Sequence, residues 1–349
     1  MLYLSQVDAV AQLASSQIPA LPPHASSFVA ITVGFFWLRF TGQGTLTMTC
    51  RSMLGKWFNS KRGLALSISG IVVSFSFSIA PRVLDLGIEH LGWRETWWIM
   101  GCGLITGIAA FVWLFFRDNP ESCGLHMDGI PPDEVKEETH EDLIIYREFT
   151  RAEALRTVPF WIFNLVIGLH SFVVTGYTFH VVAIAEDLAI PRATILAAFV
   201  PASLLGIAIS LFLGWISSRV RLKYLLVVLT LGGFLFCLGP AFHLPGTVQY
   251  LILGLGLSSG SFGILSGMVW PRFFGRKHLG AISGVNMATM VYGSAAAPLC
   301  FSLCHDLLGS FQILFMLMAT LYALASVSTR WADNPQRRLK PSLPPASQT

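Results

Sequence analysis

The chain has 349 residues, of which 54% are hydrophobic and only 12% charged, and its mean hydropathy is +0.63. A water-soluble domain carries roughly a quarter charged residues, so this chain lacks the polar groups to cover its own surface and takes lipid as its solvent. Its net charge of +4 gives no ground for a nucleic-acid partner, and what matters is where the charges fall along the chain.

Residues 1–27, with Asp8, several Gln and Pro19, Pro22 and Pro23, form a polar N-terminal segment too broken to read as a span. Apolar runs of about 20 residues, enough to cross ~30 Å of hydrocarbon, follow at 28–50, 64–87 and 95–116. An insert rich in Asp, Glu and Pro occupies 117–158 and reads as a linker, its acidic run Glu134 to Asp142 as a solvated tether. Six more runs lie at 159–184, 193–216, 224–243, 247–270, 279–303 and 309–329, before a tail at 330–349. The expected fold is an all-α membrane protein of about nine transmembrane helices. Three spans (28–116) make an incomplete N-terminal bundle, and six (159–329) make a complete C-terminal bundle.

Lys and Arg collect in short cytoplasmic loops. One set of connections holds Arg51, Lys56, Lys61, Arg62, the linker's basic residues, Arg219, Arg221, Lys223, Arg272, Arg276, Lys277 and the basic tail, whereas the alternate set holds little beyond Arg94 and Arg192. This asymmetry makes the protein multi-pass, with linker and C-terminus cytoplasmic. No retention or lipidation signal at either end names the membrane; the plasma membrane is expected over an organelle.

A phrase recurs about 215 residues apart: Lys56-Trp57-Phe58, Lys61-Arg62 and Ile68-Ser69-Gly70 return as Arg272-Phe273-Phe274, Arg276-Lys277 and Ile282-Ser283-Gly284. Asp118-Asn119-Pro120 returns as Asp333-Asn334-Pro335. Two structurally equivalent halves of membrane helices are a carrier architecture, because a site at their junction is exposed alternately to each side. Counting helices between these landmarks places three more ahead of the first span, so the chain reads as the last nine helices of a twelve-helix plan.

Further motifs sharpen this. Arg39-Phe40-Thr41-Gly42-Gln43-Gly44 resembles the fourth-helix signature of the major facilitator superfamily, and Lys56 to Ser69 resembles that family's loop into helix five. Gly92-Trp93-Arg94, Asn119-Pro120-Glu121 with Gly124-Leu125, and Phe274 to Gly280 extend the resemblance over about residues 28 to 335. Within the superfamily it points to the branch of monocarboxylate and oxalate/formate carriers. The resemblance implies a twelve-helix fold and alternating access. Ser218 stands where the family pattern has Asp, and the helices at 193–216 and 279–303 lack the basic residues that oxalate carriers hold there, which disfavours a dicarboxylate.

Polar groups at membrane depth are the candidate substrate-binding residues, since a central Arg costs roughly 2.5–3.5 kcal/mol on insertion scales unless it faces protein or water. Arg39, Gln43 and Thr47 form one polar stripe of the first span. Arg39 either meets an anionic solute or braces helix ends. His170, Tyr177 and His180 share the helix after the linker; either imidazole could carry a coupling proton or simply be satisfied on its own helix. Asn286 adds a hydrogen-bonding group in the eighth span, as a ligand contact or as a bridge to a neighbour.

Nothing points to catalysis, a metal or a cofactor. Gly256-Leu257-Ser258-Ser259-Gly260 matches a nucleophile elbow only in letters, because it sits inside an apolar run. The six cysteines lack metal-ligand spacing, and no phosphate loop for ATP appears. The expected partners are the lipid bilayer and a small organic solute, a monocarboxylate being favoured, with a proton as candidate coupling ion. The rival reading is a truncated, non-transporting membrane protein acting as an assembly partner or sensor, or an incomplete gene model.

Overall fold

The computed structural model describes residues 2–17, 23–130 and 144–339; within its helices the side chains of some positions, Arg39, Gln43, Arg82 and Asp85 among them, lie outside that description. So does the acidic run Glu134 to Asp142. Every regular element among the described residues is helical. In chain order these are α1 (Leu2–Ser5), α2 (Val7–Gln17), α3 (Pro23–Leu38), α4 (Thr47–Trp57), α5 (Arg62–Leu91), α6 (Trp93–Gly103), α7 (Ala110–Phe115), α8 (Arg151–Leu155) and α9 (Val158–Asp187). There follow α10 (Arg192–Ala197), α11 (Phe199–Ile216), α12 (Leu222–Phe242), α13 (Thr247–Phe274), α14 (Leu279–Leu308) and α15 (Gln312–Ser328).

Seven stretches among the described residues are long and apolar enough to cross a membrane, from Trp93–Phe115 through Gln312–Leu339. The other two expected spans are helical as well. One is α3 and α4 joined by a π-helical turn at Arg39–Leu46, the other the 30-residue α5, and both contain positions outside the description. In the π-helical turn, Thr45 and Thr47 donate their hydroxyls back to the carbonyls of Phe40 and Gly42 at 3.2 and 3.4 Å, five residues earlier. Such back-bonding competes with the regular ladder and fits the wider turn.

Contacts divide the chain into two compact units: Met1–Thr49 with Val72–Cys123, and Cys50–Ile71 with Gly124–Thr349. In the first, α1 lies against α6, with the Leu2 side chain over Gly101. Tyr3 donates its hydroxyl to the Ala30 carbonyl at 3.1 Å, and Asp8 of α2 pairs with Arg94, which also lies 4.3 Å from the Trp93 ring.

The second unit is built on the six C-terminal spans, packed as the pairs α9–α14, α11–α13, α12–α13 and α12–α15. Small residues make these contacts close: Gly232 meets the backbone of Ser258, and Gly233 lies under the Tyr322 ring. Without a hydrophobic drive between helices in lipid, such close packing is what holds them together. The core at the linker end is aromatic, with Phe160, Trp270 and Phe274 mutually within 6.4 Å. Outward positions such as Phe179, Leu204 and Leu299 are exposed and apolar, as lipid requires.

The helical hairpin formed by residues 50–71 docks on this bundle. Gly63 of α5 and Gly214 of α11 cross so closely that a side chain on either would strike the other's carbonyl. Ser67 donates to the Ser210 carbonyl at 2.7 Å beside the crossing. Leu66 covers Gly267, Gly55 faces Pro271 and Leu279, and the hydroxyls of Ser52 and Ser283 meet at 3.5 Å.

Linker residues 144–149 lie across the same end. Phe149 donates its amide to the Phe274 carbonyl at 2.9 Å. Fully buried Gln336 accepts from the amides of Tyr146 and Arg147 and donates to the carbonyls of Arg147 and Phe273. α8 opens on a reciprocal cap in which Thr150 and Glu153 bond each other's backbone amides.

Candidate functional site

The two copies of the repeated phrase end in turns that are capped in the same way. Asp128, held at φ 59°, accepts from the amides of Asn59, Ser60 and Lys61 at 3.2, 2.9 and 3.2 Å and from the Ser60 hydroxyl at 2.9 Å. In the second copy the Glu148 carboxylate accepts from the Lys277 amide at 2.8 Å. It packs against Gly275, whose φ of 83° and lack of a side chain leave room for it. Both carboxylates come from the linker. Arg276 meets Met127, next to Asp128. The arginines near these turns are used structurally. Arg62 donates to the carbonyls of Phe58 and Gly55 at 2.8 and 2.9 Å, and Arg272 donates to the Ser217 carbonyl at 2.7 Å.

Deeper in the bundle, α9 and α14 are stitched by polar side chains. Asn286 donates to Asn164 at 3.0 Å, and Asn164 donates to Thr289 at 3.0 Å, both amides buried. Ser171 donates to the Met290 carbonyl at 3.1 Å, and the hydroxyls of Thr175 and Ser294 meet at 3.1 Å. Asn164, Ser171 and Thr175 are spaced by seven and four, so they form one stripe along α9. Gly168 and Gly293 bring the two helices close enough for these short side chains to reach.

Of the three expected residues of α9, His170 and Tyr177 lie near one face but meet different helices, and His180 is turned away from them. His170 is buried and faces α13, its ring 4.7 Å from that of Phe262, and its Nδ1 has no hydrogen-bond partner among the described residues. Tyr177 packs between Phe199 of α11 and Phe236 of α12, at 5.6 and 4.9 Å. His180 faces α14, its Nε2 3.0 Å from the Pro298 carbonyl and its ring stacked on Phe301. Because a carbonyl only accepts, Nε2 of His180 carries the proton there. Asn286 is joined to α9 through Asn164 rather than through either histidine. Arg39 and Gln43 sit on the π-helical turn, and their side chains lie outside the description.

Two residues that sequence reasoning passed over belong to this region. Asn164 completes the amide pair; its signal was a buried-type amide in the same apolar run as His170. Arg51, counted with the loop charges, lies on α4 with its guanidinium carbon 5.6 Å from the centroid of the Phe262 ring. A separate hollow of about 320 Å³ lies at the end of the bundle remote from the linker, lined by His243, Thr247, Gln249 and their neighbours. Among the described residues no three His, Cys, Asp or Glu side chains gather to hold a metal, and the cysteines are free thiols.

Membrane-length helices that bury a few amides, hydroxyls and an imidazole within an apolar core define a multi-pass integral membrane protein. Its sequence matches the family described as the Major Facilitator Superfamily over residues 9–272, well over half the chain. The chain belongs to that superfamily, whose members are transporters rather than enzymes. No curated protein matches it. Family membership does not favour the rival, non-transporting reading.

Proposed function

We propose that this transporter is a secondary carrier of a small organic solute, a monocarboxylate, working by alternating access between two helical bundles. The observation that carries the proposal is the set of Asn164, His170 and Asn286, buried in otherwise apolar membrane helices with His170 Nδ1 unpartnered among the described residues. A buried polar nitrogen without a hydrogen-bond partner costs about 1–3 kcal/mol, and a bound carboxylate accepting from the imidazole N–H would relieve that cost. Asn286 and His170 are proposed as solute contacts. Arg39 and Gln43 are proposed as further solute contacts through their place in the fourth-helix signature. Tyr177 and His180 support the site by fixing α9 against α11, α12 and α14.

The lack of basic residues in the spans at 193–216 and 279–303 supports a single rather than a double carboxylate. A proton is the proposed coupling ion, and the linker and tail are proposed to face the cytoplasm of a plasma-membrane protein, following the Lys and Arg asymmetry.

Uptake of labelled small monocarboxylates into proteoliposomes containing the full chain, repeated with His170→Phe and Asn286→Leu, tests this. Uptake that is carboxylate-dependent and reduced at least about tenfold in both variants, a difference of 1.4 kcal/mol, is expected. Normal uptake by both would remove them as solute contacts.

A further inference from the structure

The Arg51 side chain stands apart from the arginines around it. Arg62 and Arg272 donate to backbone carbonyls, Arg221 approaches Asp333 at 3.6 Å, and Arg276 meets the linker. Arg51 is half-buried, yet among the described residues no carboxylate or carbonyl receives its donors, and its guanidinium lies over the face of Phe262 at 5.6 Å. A guanidinium carries five N–H donors and is never deprotonated in a protein, so burial leaves it a standing demand for negative charge. A ring face answers only a small part of that demand.

Phe262 also touches His170, the buried imidazole whose Nδ1 has no hydrogen-bond partner among the described residues. One aromatic ring of α13 is thus in reach of both a cation from α4 and an unsatisfied imidazole from α9. Directly after Arg51, Ser52 meets Ser283 of α14 at 3.5 Å, so the cation sits where the hairpin joins the bundle.

We propose that Arg51, Phe262 and His170 form the recognition site for a small organic anion with one carboxylate and an apolar body. Arg51 receives the carboxylate through paired N–H donors, a geometry in which Arg is strong and Lys is not equivalent. Phe262 covers the apolar part, and His170 supplies a hydrogen bond from the far side of the ring's neighbourhood. This rests on the carrier reading above and gives it a charged anchor that the C-terminal spans alone do not contain. A lipid phosphate would satisfy the same cation, so the test separates the two sources.

The full chain is placed in nanodiscs of phosphatidylcholine alone, and binding of labelled acetate, lactate and benzoate is measured for the parent, Arg51→Gln, Arg51→Lys and Phe262→Leu. At least one of these anions is expected to bind the parent, with a Kd raised about a hundredfold or more in Arg51→Gln, the loss expected when one partner of a desolvated charge pair is removed. Arg51→Lys should retain part of the affinity, and Phe262→Leu should weaken benzoate more than acetate. In parallel, and without any variant, the bound anion should slow phenylglyoxal modification of Arg51, read by mass spectrometry. Equal binding by Arg51→Gln, or phenylglyoxal labelling of Arg51 unaffected by a bound anion, overturns the Arg51 site while leaving the carrier reading standing. No binding of any of the three by the parent overturns both. Protection of Arg51 only by added phosphatidylglycerol identifies a lipid headgroup as the occupant and overturns the solute assignment.

Discussion

Substituting Gly63 by alanine tests how the hairpin of residues 50–71 is held. A methyl group there would fall on the Gly214 carbonyl and the Ser217 hydroxyl, neither of which is the flexible end of a long side chain. α5 must retreat from α11 by roughly 1 Å to restore van der Waals separation. Overpacking of this kind costs about 1–3 kcal/mol. The retreat also strains the 2.7 Å bond from Ser67 to Ser210, and hydrogen bonds between membrane helices average about 0.6 kcal/mol. The docked hairpin should therefore lose about 2–4 kcal/mol, a shift of roughly thirty- to a thousandfold in its equilibrium with an undocked state. Disulfide formation between S52C and S283C, whose parent hydroxyls lie 3.5 Å apart, reports docking once the native cysteines are replaced. Crosslinking should slow at least tenfold in Gly63→Ala and in Gly214→Ala. The double variant should fall short of the summed effects, since both act on one crossing. Unchanged crosslinking together with an unchanged Tm in either single variant would refute the reasoning.

Asp128→Asn removes the charge from four hydrogen bonds to the Asn59–Lys61 turn and should cost about 1–2 kcal/mol, as loss of a helix cap does; an unaltered Tm would contradict this. Gln336→Ala strips partners from four backbone groups and should cost about 2–4 kcal/mol, with amide exchange at 144–149 accelerating while α12 stays protected. Glu153 accepts from the amide and hydroxyl of Thr150 with Arg147 alongside, which holds its carboxyl below the usual carboxylate range. Its folded value is the lower one, so ionised Glu153 stabilises the α8 cap above its unfolded value, and that contribution disappears as pH falls through the folded one. The drop in Tm on acidification should accordingly be smaller in Glu153→Gln than in the parent, and superimposable curves would count against the cap. Asn286→Leu should alter stability by no more than about 1–2 kcal/mol, the upper range for such bonds in membranes, while abolishing solute uptake.

The helical membrane architecture was legible because apolar runs of span length are a local property of the sequence, and the repeated phrase marked the turns that the structure shows capped alike. Which neighbour each polar side chain meets was not local. At about 100° per residue, seven steps bring His170 and Tyr177 to within about 20° of one face, and three more swing His180 away by a further sixth of a turn or so. The first two thus meet α13 and α12, whereas the third meets α14. Arg51 counted as a topological charge because its relation to Phe262 spans more than 200 positions. The caps on the two turns were equally hidden, since a carboxylate finds a distant amide only once the chain has folded. Residues 2–17, which read as a broken polar segment, form α1 and α2.

Met127 and Asp128 are consecutive, yet one touches the turn of the second repeat and the other grips the turn of the first. Glu148, on the far side of residues 131–143, holds the second turn independently. A gene cut within 131–143 and expressed as two polypeptides would keep Asp128 with the first fragment and Glu148 with the second, so each fragment retains its own clasp and the pair should reassemble. A cut just ahead of Met127 hands both clasps to the second fragment and leaves the first to find Asp128 across a bimolecular encounter.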